Sequence, residues 1–177
     1  WAKEGLFQTA ILISLMDNRG NLNLYMSPSE WIDRLISTIL DSSTIEWWYS
    51  NKFVLGLIAE ASPRSYIKFI QNDLRKEDSI IKRLFTPKGV NNLWGPQEDY
   101  THILFSLQAM LWEEEWLLPI SCILADLSRI ENDSNLYNKP ITALYEAYAI
   151  WRPQTYAKTP IRLQALETIG KKYPQQA

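Results

Sequence analysis

Ser27-Pro28-Ser29-Glu30-Trp31-Ile32-Asp33-Arg34-Leu35-Ile36-Ser37-Thr38-Ile39-Leu40 is the stretch that decides the fold. The Ser27 hydroxyl can accept from the backbone N–H three residues on, proline suits the first helical position, and Glu30 can return the bond. A helix is therefore predicted to begin at Pro28. Beyond it Trp31, Ile32, Leu35, Ile36, Ile39 and Leu40 recur at the spacing that places them on one stripe, while Asp33, Arg34, Ser37 and Thr38 take the wet side.

Apolar residues recur at helical spacing along nearly the whole chain, and strict alternation over strand lengths is scarce, so the fold class is all-α. Ser62-Pro63 and Thr159-Pro160 repeat the hydroxyl-then-proline device ahead of Tyr66, Ile67, Ile70 and Leu74, and of Ile161, Ala165, Leu166 and Ile169. Further helices are predicted over Ala2 to Met16, Ile45 to Glu60, Ser79 to Phe85, Glu98 to Trp112, Glu114 to Ile130 and Pro140 to Ile150. The stretches 18–27, 86–97 and 131–139 between them are rich in Asn, Gly, Pro, Ser and Asp, as loops are.

About nine helices in antiparallel succession form either a globular bundle or an α-solenoid. Helix pairs of roughly 35 to 45 residues have the period that HEAT, armadillo and tetratricopeptide arrays share. The expectation is one α-solenoid-like domain over residues 1–177, without an exact sequence repeat. The last helix, from Thr159, resembles the first of a further pair, and the chain begins at Trp1. Together these suggest a fragment of a larger multidomain protein.

With 177 residues, 46% of them hydrophobic and eight of them Trp, the chain has ample material for one core. A net charge of −2 does not advertise a polyanionic partner for the domain as a whole. The single cysteine excludes an internal disulfide framework, and Cys122 with His102 cannot make a four-ligand zinc site of Cys and His. No apolar run reaches the roughly 18 to 20 residues of a membrane helix, and no signal-like leader opens the chain, so no membrane partner and a cytoplasmic location are expected. There is no phosphate-cradling glycine loop, which leaves nucleotide hydrolysis without a motif; no cofactor is expected.

Polar features are few. His102 is the only imidazole available to a nucleophile, and a small helical enzyme with a site near it is one alternative; a partly exposed structural histidine is the simpler account. Cys122, among Ile120, Ile123 and Leu124, reads as a small buried hydrophobe. Glu113-Glu114-Glu115 fan out about 100° apart and suit a helix start better than a metal. Charge is uneven along the chain. Seven basic residues stand against three acidic ones in 62–88, whereas two stand against nine in 89–150. Arg64, Lys68, Arg75, Lys76, Lys82, Arg83 and Lys88 thus form a candidate basic patch, which offers nucleic-acid binding as a further alternative or, more simply, a solvated face.

Trp47-Trp48-Tyr49 stands out because adjacent helical residues cannot all face one core. With Trp94, in the predicted loop 86–97, these aromatics are candidate anchors for a protein partner.

Several stretches resemble the C-terminal helical-repeat region of large bacterial STAND-type NTPases, signal-transducing ATPases that act as antiphage sensors. They are Trp1-Ala2-Lys3-Glu4-Gly5-Leu6, Tyr100 to Trp116 with Leu117, Asn138-Lys139-Pro140-Ile141, Trp151-Arg152-Pro153-Gln154-Thr155, and Arg162 with Ala165-Leu166 and Pro174. These are packing and turn motifs, and residues 20–90 add little to the match. The resemblance implies a modular protein with an effector domain, a central NTPase and a helical arm that recognises a foreign protein. This chain would be part of the arm: a non-enzymatic module whose partner is a trigger protein or flanking domains of its own chain.

Overall fold

Ser27 closes the first turn of its helix by accepting from the Glu30 N–H at 3.2 Å, with Pro28 at the first helical position. The Glu30 carboxylate pairs with Arg34 at 3.2 Å, one turn on. The structure, a computed structural model, describes residues 1–16, 25–86, 100–130 and 138–175. Its helices are α1 (Ala2–Leu15), α2 (Pro28–Asp41), α3 (Ile45–Asn51), α4 (Leu55–Ala61), α5 (Pro63–Asp73), α6 (Ile80–Phe85), α7 (Thr101–Met110), α8 (Glu114–Leu127), α9 (Pro140–Tyr148) and α10 (Thr159–Lys172). A single 3-10 turn, Lys52–Val54, joins α3 to α4 into one bent rod over the segment predicted as a single helix. The described residues thus make nine rods and no strand.

The other hydroxyl-proline pairs work differently from Ser27. Ser62 leaves the start of α5 uncapped, because its hydroxyl donates to the Asp33 carboxylate. Ser65 donates to the Asp33 carbonyl at 2.9 Å, so the two serines fasten the α4–α5 corner to α2. At the last helix the cap position is Lys158, and Thr159 is already helical. Side-chain caps not anticipated from sequence are Thr44, which accepts from the Trp47 N–H, and Ser79, which accepts from that of Lys82.

Two layers result. α1, α4 and α7 lie side by side in one, and α2, α5, α8 and α10 in the other. Across the layers α1 meets α2, α4 meets α5, and α7 meets α8, while α9 packs on α8 and the short α6 on α5. This is an all-α array of stacked helix pairs, each burying its apolar face against its neighbours. The predicted stripe of α2 points inward: Ile32, Ile36 and Leu40 are buried, whereas Trp31 is left outside. They join one continuous core with Ile58, Tyr66, Ile103, Leu117, Leu124 and Ile169.

Polar ties cross the same boundaries. Ser106 of α7 donates to the Ile103 carbonyl at 2.7 Å, so the buried Tyr66 of α5 donates to Ser106, at 2.8 Å. Ser121 of α8 and Tyr148 of α9 share a hydrogen bond of 2.8 Å, and Tyr173, after α10, donates to Asp126 of α8 at 2.8 Å. Each satisfies a polar group that packing would otherwise strand.

Candidate functional site

The sequence-selected aromatics are divided by the helix geometry. Trp48 is 1% exposed, stacked on Phe69 at 5.5 Å and donating its indole N–H to Ser43 at 2.9 Å. It is a core residue, and this removes it from any partner surface. Trp47 sets its ring edge-on to Trp48 at 5.8 Å and is half-buried, as is Tyr49. Trp94 lies outside the described residues.

A different set of aromatics faces solvent. Trp151 is 89% and Tyr156 77% exposed, on the non-helical segment between α9 and α10. That segment is held at several points. The Gln154 N–H donates to the Glu146 carbonyl at 3.0 Å, the Tyr156 N–H to the Trp112 carbonyl at 2.9 Å, and the Lys158 N–H to the Glu114 carboxylate at 3.2 Å. Trp112, on the α7–α8 turn, brings its ring to 5.0 Å from that of Tyr156. Backbone ties therefore fix a segment whose large side chains find little of the chain to pack against. In the sequence Trp151 and Trp112 fall in the stretches of family likeness and Tyr156 does not; the available signal is a tryptophan two residues before Pro153, outside any helical stripe.

The basic residues also divide. Arg64 lies on the exposed side of α5 and reaches Glu115 of α8 at 3.9 Å. Lys76 turns back to Asp73 at 3.5 Å and over the Phe69 ring. Lys68 and Arg83 are exposed, and Lys88 lies outside the described residues. Arg75 and Lys82 instead line a half-open recess of about 520 Å³, where they meet Arg129 and Lys172, two cations that segment-by-segment charge counting passed over.

His102 is half-buried, its ring edge-on to Phe53 at 4.9 Å. It lines neither this recess nor a smaller cavity of about 180 Å³ beside Pro140. Burial pushes the Cys122 thiol up, which disfavours a reactive thiolate. Glu113, Glu114 and Glu115 are exposed around the start of α8, as a helix entrance requires. Among the described residues no group of three or more His, Cys, Asp or Glu is placed to hold a metal ion, and no helix is long and apolar enough to cross a membrane.

Fold and surface together define an all-α array of helix pairs that displays aromatic side chains at one turn and cations in one recess. The chain matches no family model, no curated protein and no solved structure.

Proposed function

We propose that the chain is a non-enzymatic helical-repeat module that binds protein, its partner being a trigger protein or a flanking domain of its parent chain. The observation that supports this best is the tethered display of Trp151 and Tyr156 beside Trp112. Trp and Tyr dominate interface hot spots, and holding them in place before binding lowers the ordering cost of association. In the setting implied by the STAND-type resemblance, the module belongs to the sensing arm of a bacterial, cytoplasmic defence NTPase whose nucleotide chemistry lies in other residues.

Site-specific photo-crosslinking tests this. A photoreactive side chain at position 151 is expected to capture a discrete protein that is lost in Tyr156→Ala at unchanged melting temperature. The proposal fails if no adduct forms there, or if one of equal yield forms at the exposed Gln164 of α10.

Nucleic-acid binding through 62–88 is the second reading, favoured by the exposure of Arg64, Lys68, Arg75 and Arg83. Fluorescence anisotropy with single-stranded DNA separates the two. Binding that weakens steeply with salt supports it, and none at about 50 mM salt removes it.

A further inference from the structure

Four cations from four separate stretches of chain converge on the recess of about 520 Å³: Arg75 after α5, Lys82 of α6, Arg129 after α8 and Lys172 at the end of α10. Asp126 is the single acidic residue that lines it, and Asp126 already accepts from Tyr173. Among the described residues none of the four cations has an ion-pair partner within 4 Å, although Lys82 donates to the Lys76 carbonyl at 3.0 Å and Lys172 lies over the Tyr173 ring at 4.9 Å and is drawn toward the Asp126 carboxylate. Three of them stand at helix C-terminal ends, where each offsets roughly half a negative charge. Three half-charges and one carboxylate do not cancel four whole positive charges. The recess therefore remains positive and gains from an anion.

Shape narrows the anion. The volume falls within the range of small-molecule sites, roughly 300 to 1,000 Å³. Two guanidinium forks and two ammonium groups exceed what a single phosphate can engage, and they surround a hollow rather than following a line, as a nucleic-acid backbone would require. Arg64 and Lys68, farther along α5, do not line it.

We propose that this recess binds a small soluble polyphosphate, two or three linked phosphoryl groups held by Arg75, Arg129, Lys82 and Lys172. The site is independent of the aromatic surface assigned above to protein binding.

Cys122 provides the readout, since it is the chain's one cysteine and it lines the recess half-buried. Inorganic tripolyphosphate is titrated into the 177-residue chain while alkylation of Cys122 is followed, with sulfate at matched ionic strength as control. Saturable protection by tripolyphosphate and not by sulfate is expected, with affinity falling about tenfold for each of Arg75→Glu and Arg129→Glu and little changed in Arg64→Glu. Calorimetry on the unaltered chain gives a second measure of binding. The proposal is overturned if millimolar tripolyphosphate neither protects Cys122 nor releases heat. It is equally overturned if Arg64→Glu weakens binding as much as Arg75→Glu, or if a single-stranded oligonucleotide protects Cys122 better than tripolyphosphate; either marks a nucleic-acid track instead.

Discussion

Trp48 and Trp151 carry the same side chain and do opposite work. Trp48 is sealed in the core against α5, with Phe69 and Tyr66 against its ring and Ser43, just beyond α2, on its N–H. Trp48→Ala therefore creates a large cavity and is expected to cost about 3 to 5 kcal/mol in urea unfolding. Trp151→Ala removes an exposed side chain and should stay within about 0.5 kcal/mol. Comparable losses at both positions would mean that Trp151 is packed in solution. The chain's periodicity shows that Trp47, Trp48 and Tyr49 must point in different directions, but not which of them faces inward. That choice depends on Phe69 and Tyr66, some twenty residues away along the chain, and only the fold brings them together. Trp151 is visible in the sequence as a residue two before a proline, yet the hydrogen bonds that fix its segment come from Glu146 and Trp112, which no local pattern connects to it.

At the scale of the element, α6 shows how a short helix is sustained. Six residues are too few for an independent helix, since nucleation is unfavourable and the hydrogen bonds gained are few. Buried Asp73, at the end of α5, compensates by accepting from the Ser79 hydroxyl at 2.7 Å and from the Ile81 N–H at 2.8 Å. Its other oxygen, without a hydrogen bond of its own, faces the Lys76 ammonium at 3.5 Å. Asp73→Ala strands two buried donors and is expected to cost about 2 kcal/mol or more, with amide exchange accelerating in α6 ahead of α5. Uniform acceleration across both helices would instead show that they open together. Ser27→Ala, which removes a half-exposed cap, is expected to cost only about 1 kcal/mol. Helix positions were legible in the sequence because each helix signals itself by spacing over one or two turns. The cap at Ser27 was equally local. Ser62 resisted the same logic because its hydroxyl is claimed by Asp33, a residue of another helix. The recess was illegible for a related reason: Arg129 sits in the most acidic part of the chain, and only stacking α8 beside α5 and α10 turns it toward Arg75 and Lys172.

At the scale of the whole molecule, the described residues share one apolar cluster with phenol hydroxyls spanning its helix boundaries, and this arrangement makes stability sensitive to alkali. Burial pushes Tyr148 up from 10.0 to about 12, against a smaller opposing effect of the Ser121 hydrogen bond. Burial raises Tyr66 further still, again opposed by its hydrogen-bond partner, Ser106. In both cases the folded protein holds its phenol proton after the unfolded chain has lost it. Below about pH 10 both states are protonated and these groups give stability no pH dependence. From there upward the unfolded chain binds fewer protons, so stability falls with each increment of pH until Tyr148 itself ionises near 12. Ionised Tyr66 would be a buried charge next to Ser106, linking α5 to α7, so its titration should coincide with global unfolding rather than precede it. Urea midpoints measured from pH 8 to 12 are therefore expected to be flat and then to drop. Tyr148→Phe should lower stability by about 1 kcal/mol at pH 8, through loss of the Ser121 contact, and make the drop shallower. A drop of unchanged steepness in that variant would mean that Tyr148 ionises as freely in the folded protein as in the unfolded chain, and that the α8–α9 boundary is open to water.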